Sequence, residues 1–263
     1  MQILFIGDIV GKPGRQAISG LLKKVVGDHE IEFTIANGEN AAGGMGITPT
    51  IAIEILDQGV DVLTSGNHIW AKKEIFPFLE KESRILRPAN YPPQVPGRGA
   101  GIFESKKGEK IGVINLEGRV FMKNLDYPFR AGEREIEILK KETSIILVDF
   151  HAEATSEKMA MGWFMDGKVT AVLGTHTHVQ TSDEKILSGG TAYITDAGMT
   201  GPMDSVIGIQ KQVALNRLLT QIPWKFDVAT DEVELQGVVI EVDPKTGKSQ
   251  RIQRIKVPFD GKS

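Results

Sequence analysis

The sequence predicts an α/β protein in which two β-sheets are stacked between helices. Three observations point there. Within the first 81 residues, short apolar runs alternate three times with segments of helical spacing, a rhythm that argues for a parallel sheet. Two further apolar runs of strand length, 144–150 and 169–173, flank a helical stretch over 155–164. Hairpin patterns at 101–105 with 110–116 and at 232–242 with 249–257 add antiparallel strands. All 263 residues fit one domain, 1–263.

Each element has a local reason. Ile3-Leu4-Phe5-Ile6 is a buried strand that ends in Gly7-Asp8. Gly11, Pro13 and Gly14 mark a loop and a helix start, after which Ile18, Leu21, Leu22, Val25 and Val26 recur with helical spacing. Residues 32–36 form the next strand, followed by Asn37-Gly38-Glu39-Asn40 and a glycine-rich loop. Thr48-Pro49 has the form of an N-cap with proline at the first helical position, and Gly59 suits the end of that helix. Residues 60–63 are the third strand, ending in Thr64-Ser65-Gly66-Asn67-His68, and a helix broken at Pro77 spans 70–81. The Pro- and Gly-rich stretch 84–101 is a surface loop, 121–130 is irregular, and 133–140 is helical. Residues 185–187 and 191–195 pair over Gly189-Gly190. A glycine-rich loop over 196–208 precedes a helix at 210–219.

Composition excludes several classes. The chain is 41% apolar and 25% charged with a formal net charge of −3, which gives no footprint for long nucleic acid. It has no cysteine, so disulfides, thiolate zinc sites and cysteine nucleophiles are ruled out. No apolar run reaches the ~18 residues of a membrane span, and Met1 leads straight into a strand with no signal-peptide pattern. The expected compartment is the cytoplasm, with no membrane partner. The loops at 88–99 and 121–130 are available as contacts in a homo-oligomer.

In parallel sheets, sites form beyond the carboxyl ends of the strands. Polar residues at those ends are Asp8, Glu39, Asn40, Asn67, His68, His151, His176 and His178, which include four of the five histidines. In Gly174-Thr175-His176-Thr177-His178 an extended chain would point both imidazoles the same way. Taken singly, each of these residues has a plain role as a cap, a turn residue or a satisfied core histidine. Together, two carboxylates, two amides and four imidazoles suit a metal held by nitrogen and oxygen donors. Trp70, Phe76, Tyr91 and Phe121 are available to stack a base, against the plainer role of packing.

The order Gly7-Asp8, Gly38-Glu39-Asn40, Gly66-Asn67-His68, His151 and Gly174-Thr175-His176-Thr177-His178 resembles the calcineurin-like metallophosphoesterases. Glu39 in place of the usual Asp, Val10 in place of the usual His, and the loop Asp196-Ala197-Gly198-Met199-Thr200-Gly201-Pro202 resemble one bacterial branch, the YmdB-type phosphodiesterases. The resemblance implies a metallophosphoesterase-like α/β/β/α sandwich. It also implies two metal ions, one held by Asp8, Glu39, Asn40 and His178 and the other by Glu39, Asn67, His151 and His176, with Glu39 shared. Iron is the metal this branch suggests, with manganese next and zinc also compatible with the donors. The implied reaction is hydrolysis of small phosphodiesters, 2′,3′- and 3′,5′-cyclic nucleotides among them, by in-line attack of a hydroxide between the metals. His68 is then the general acid or a ligand of the phosphoryl oxygen. Three other classes are open. An amidohydrolase would carry His-x-His after its first strand, whereas here it follows a late one. A metal-binding regulatory module of the same fold is the reading that Val10 favours. A purely structural protein leaves the gathered histidines without a purpose.

Overall fold

The computed structural model describes residues 1–261. The chain opens with β1 (Gln2–Ile6), the two-residue β2 (Asp8–Ile9) and α1 (Gly11–Asp28). β3 (Phe33–Asn37), α2 (Pro49–Asp57) and β4 (Val62–Thr64) follow, and the Thr48 hydroxyl caps α2 by accepting from the Ile51 N–H. After the short α3 (Phe76–Leu79) come β5 (Ala100–Glu104), β6 (Lys110–Glu117), α4 (Pro128–Leu139), β7 (Ile146–His151), α5 (Thr155–Met165) and β8 (Ala171–Thr175). The chain continues through β9 (Lys185–Ile186), β10 (Ala192–Ile194), β11 (Met199–Pro202), α6 (Lys211–Thr220), β12 (Val233–Val242) and β13 (Ser249–Pro258).

These strands make two mixed sheets. The first runs β2-β11-β12-β1-β3-β4 with β13 on β12, and the second runs β5-β6-β7-β8-β10-β9. The parallel core of each is β1-β3-β4 and β6-β7-β8-β10, with antiparallel strands at the flanks. Ile3, Phe5, Phe33, Ile35 and Val62 of the first sheet pack against Val113, Leu147, Leu173 and Ile194 of the second. α1 and α2 cover the outer face of the first sheet, and α4 and α5 that of the second. The order of layers is therefore α/β/β/α, because the central strands are apolar on both faces and each sheet must be covered twice.

The inner layer positions the site. Towards the carboxyl ends, inward positions change from aliphatic to polar: Ile35 to Asn37, Val62 to Thr64, Val113 to Asn115 and Glu117, Leu147 to Asp149 and His151, Leu173 to Thr175. Residues two apart share a face, so the dry inter-sheet core grades into a buried polar edge. Asn37 Nδ2 bridges the sheets by donating to Asp149 Oδ2 at 2.9 Å.

Four local expectations need correction. The expected helix over 70–81 is two single 3₁₀ turns, Ile69–Ala71 and Lys73–Ile75, followed by the four-residue α3, which Pro77 starts instead of breaking. α1 begins at Gly11, with Pro13 inside its first turn, where its missing N–H costs nothing. Pro128 likewise starts α4 within the stretch expected to be irregular. Inside the glycine-rich loop lies β11, parallel to Asp8 and Ile9 and antiparallel to β12, so it shields Asp8 from solvent.

Candidate metal centre

All eight rim residues come to one place, at the carboxyl edge of the inter-sheet layer. Asp8, Glu39, Asn40 and His151 are buried there, and His68, His176 and His178 line a cavity of about 650 Å³ above them. Asn67 Oδ1 lies 3.1 Å from His151 Nε2. That nitrogen is also 3.1 Å from Glu39 Oε1 and 3.0 Å from His176 Nδ1. On the other side of Glu39, Asn40 Nδ2 is 3.1 Å from Oε1 and 3.2 Å from His178 Nε2, which is 3.9 Å from Asp8 Oδ1. Two donor groups thus meet at Glu39. Its second oxygen, Oε2, accepts the His68 backbone N–H at 3.0 Å.

The His-x-His segment does not work by strand alternation, as the extended reading expected. β8 ends at Thr175, and His176 (φ 98°) and His178 (φ 64°) are both left-handed. Such backbone costs about 1–3 kcal/mol per residue and persists only where neighbours over-determine it. Here two buried carboxylates do so. Asp8 Oδ2 accepts the His176 N–H at 3.0 Å, and Asp196 Oδ2 accepts both the N–H (3.1 Å) and the hydroxyl (2.7 Å) of Thr177. Gly66 and Gly174 are required by close approach. A Cβ at Gly66 would fall 2.2 Å from the His151 ring, and one at Gly174 would fall 1.8 Å from the Thr195 carbonyl.

His151, His176 and His178 each have one nitrogen committed to an acceptor, which orients the ring. His151 Nδ1 donates to Thr175 Oγ1 at 2.9 Å, and that hydroxyl donates to Asp149 Oδ1 at 2.7 Å. His176 Nε2 donates to Glu153 Oε2 at 3.0 Å, and His178 Nδ1 to the Ile207 carbonyl at 2.9 Å. The other nitrogen of each of these three rings therefore faces inward. Asn40 is the exception in the set: it presents Nδ2, so ligation through oxygen needs its amide turned over, an interchange of two nearly isosteric atoms.

The residues fit a cation. Around His151 Nε2 stand three lone-pair acceptors, Glu39 Oε1, Asn67 Oδ1 and His176 Nδ1, which one ring proton cannot serve together. Glu39, His151 and His176 each bring a ligand atom within 4.8 Å of the others. Asp8 Oδ1 is fully buried with no hydrogen-bond partner, a state that costs free energy unless a cation replaces the lost water. The electrostatics of the buried groups follow the same field. Burial opposes charge on His151, yet Glu39, Asp8 and Asp149 override it and raise the imidazole to about 9. Burial also opposes charge on Glu39, but His151 holds that carboxyl down to about 2. Asp8 is pushed up by burial, and His176 is pushed down to about 3 by burial and by His151. Burial lowers His68 as well.

Several contributors had no sequence signal of their own. Asp149 sits two residues before His151 on the same strand face, the one hint of its role. Asn37, Thr175, Glu153 and Ile207 act only through contacts across the fold. The aromatics expected to be available to stack a base, Trp70, Phe76, Tyr91 and Phe121, are not among the residues that line the cavity. Trp70 packs edge-on against Phe76 (5.4 Å) and Tyr91 (5.5 Å), and Phe121 is 88% exposed away from the cavity.

Glu117, beside His151 on β6, is fully buried, with the Tyr91 hydroxyl as its polar side-chain neighbour. Burial pushes it from its ordinary 4.5 up to about 7. The folded protein therefore keeps a proton that the unfolded chain loses between those values, so stability falls as pH rises through 7. Glu117→Gln cannot ionise. Denaturant titrations of the two proteins, both treated with chelator, should diverge by on the order of 3 kcal/mol between pH 4 and pH 8, with the variant gaining at the alkaline end. Parallel curves would show that Glu117 carries no such proton.

Comparison with known proteins identifies the family and the fold. The model of the YmdB-like protein family matches residues 4–255. The chain is 47% identical over 260 residues to a 2′,3′-cyclic-nucleotide 2′-phosphodiesterase of Bacillus subtilis, covering 99% of this chain and 98% of that one. A phosphatase structure from Mycoplasma pneumoniae superposes with TM-score 0.92 at 34% identity, over 98% of this chain and 93% of that one. A structure of a hypothetical protein from Thermus thermophilus does so with TM-score 0.91 at 40% identity, over 98% and 99%. Among the described residues no helix is long and apolar enough to cross a membrane.

Proposed function

Because this chain belongs to the YmdB-like family, we propose that it is a dinuclear metal-dependent phosphodiesterase. Its substrates in this reading are small phosphodiesters, with 2′,3′-cyclic nucleotides first and 3′,5′-cyclic nucleotides second. The observation that carries the reading is the crowding of Glu39 Oε1, Asn67 Oδ1 and His176 Nδ1 around His151 Nε2, with Asn40 and His178 meeting the same Glu39 carboxylate and the unpartnered Asp8 Oδ1 beside them. Asp8, Glu39, Asn40 and His178 hold one ion, and Glu39, Asn67, His151 and His176 hold the other, within one domain spanning 1–263. The donors are oxygen and imidazole only, which suits iron first, then manganese or zinc. Bound there, the ions lower the pKa of water and offset the charge of the diester anion.

The chain's own residues do the rest. Glu39 draws the two donor groups together while its Oε2 fixes the backbone of His68. The His68 imidazole lines the cavity and stands free to donate a proton to the leaving oxygen. Burial lowers its affinity for that proton, and an anionic diester arriving in the cavity raises it again. If His68 is the acid, His68→Ala loses about 10²–10⁴-fold on a cyclic nucleotide, whose alkoxide leaves poorly. A nitrophenyl diester, whose leaving group needs no proton, is then largely spared, and metal content stays intact. An equal loss on both esters assigns His68 to phosphate binding instead.

Elemental analysis of untreated protein beside a panel of cyclic nucleotides tests the whole reading. The expected result is close to two metal ions per chain together with turnover. Bound metal with no turnover on any diester identifies a regulatory module of the same fold.

A further inference from the structure

The cavity above the candidate metal centre has two unlike sides. One carries Glu39, Asn40, His68, His176 and His178. The other is apolar, built from Val10, Met45, Ile207, Ile209, Phe226 and Val228. Hydrolysis of a phosphate ester needs only the first side. The second lines the same cavity, and none of its six side chains is charged or carries an amide.

Phe226 is the aromatic member of that wall. It remains 39% exposed, while the Arg217 guanidinium of α6 covers its ring at 4.2 Å from the centroid. The cation packs on the ring, and Phe226 still lines the cavity. Ile207 gives an independent sign that the wall is built for a ligand. Its φ is +48°, a conformation that β-branched residues rarely adopt, and the residue is 49% exposed and lines the cavity. The same residue's carbonyl orients the ring of His178. Strain stored at one residue thus ties the apolar wall to the metal-facing side.

We propose that this wall is the nucleobase subsite, with the base stacked on Phe226 and flanked by Ile207 and Val228. The inference rests on the phosphodiesterase reading above and adds what the non-reacting part of the substrate binds. Stacking on an aromatic ring accepts any base, since every base has a π face. Since none of the six lining side chains can read base edges, the subsite selects for the presence of a base, not its identity.

The test compares adenosine 2′,3′-cyclic phosphate with the 2′,3′-cyclic phosphate of methyl riboside, which has the same reacting ring and no base. Wild-type protein should prefer the nucleotide in kcat/KM by on the order of tenfold or more. Phe226→Ala should collapse that preference towards unity, mainly through the KM for the nucleotide, and Phe226→Trp should restore it. Because the readout is a ratio between two esters, any general loss in the variant cancels. A preference in Phe226→Ala equal to that of wild type overturns the subsite while leaving the phosphodiesterase reading intact. Failure of wild-type protein to hydrolyse either ester overturns both.

Discussion

Glu39→Gln is expected to lose metal and turnover together. The carboxylate is buried, its Oε1 is 3.1 Å from both His151 Nε2 and Asn40 Nδ2, and its Oε2 holds the His68 N–H. Glutamine preserves length and volume but removes the charge that would be shared by two ions. It also places an NH₂ group where one of two oxygens is needed. Changing an outer residue of a metal site typically costs about 10–100-fold, so loss of a shared donor should exceed about a hundredfold in turnover. Metal content per chain and diesterase rate, measured on one preparation with unaltered circular dichroism, check this. A variant that keeps its full metal complement and works at the wild-type rate would remove Glu39 from the shared position.

Lys158→Met is expected to be the most destabilising single change among the charged residues discussed. Lys158 lies on α5 with 1% exposure, and its Nζ donates to Asp196 Oδ2 at 2.8 Å. Asp196 also accepts from the Thr177 N–H and hydroxyl and, through Oδ1, from the Gly198 N–H at 2.8 Å. Removing the ammonium strands a buried carboxylate, which costs about 3–5 kcal/mol, or roughly 10 °C in melting temperature for a chain of this size. The double variant Lys158→Met/Asp196→Asn should regain much of that loss, since replacing both partners of a buried pair is often close to neutral. A melting temperature for Lys158→Met within about 2 °C of wild type would contradict the assignment. The same pair braces Thr177 between His176 and His178, so metal affinity should fall along with stability.

Much of this architecture is legible locally. Buried strands such as Leu4 to Ile6 and Val172 to Leu173 announce themselves as apolar runs, and Thr48-Pro49 announces the start of α2. The short elements are not legible, for a physical reason. β2 and β11 are too small to show a period, and they exist because Asp8 and Ile9 find Met199 and Thr200 across the fold. The 3₁₀ turns after His68 are likewise shaped by packing of Trp70 and Phe76, not by helical propensity.

The candidate site divides the same way. The chemical identity of the donors and their places at strand ends are properties of the chain itself, because alternation and turn residues act over a few positions. Which nitrogen faces inward is not. It depends on His151 meeting Thr175, His176 meeting Glu153 and His178 meeting the Ile207 carbonyl. The left-handed turn at His176 depends on Asp8, 168 residues away. Such contacts form only once two sheets have stacked at one register, and no local pattern encodes that stacking. Local pattern is enough to name the kind of atoms available to hold a cation. Their direction, their distances and the apolar wall that faces them arise from the packing of distant segments.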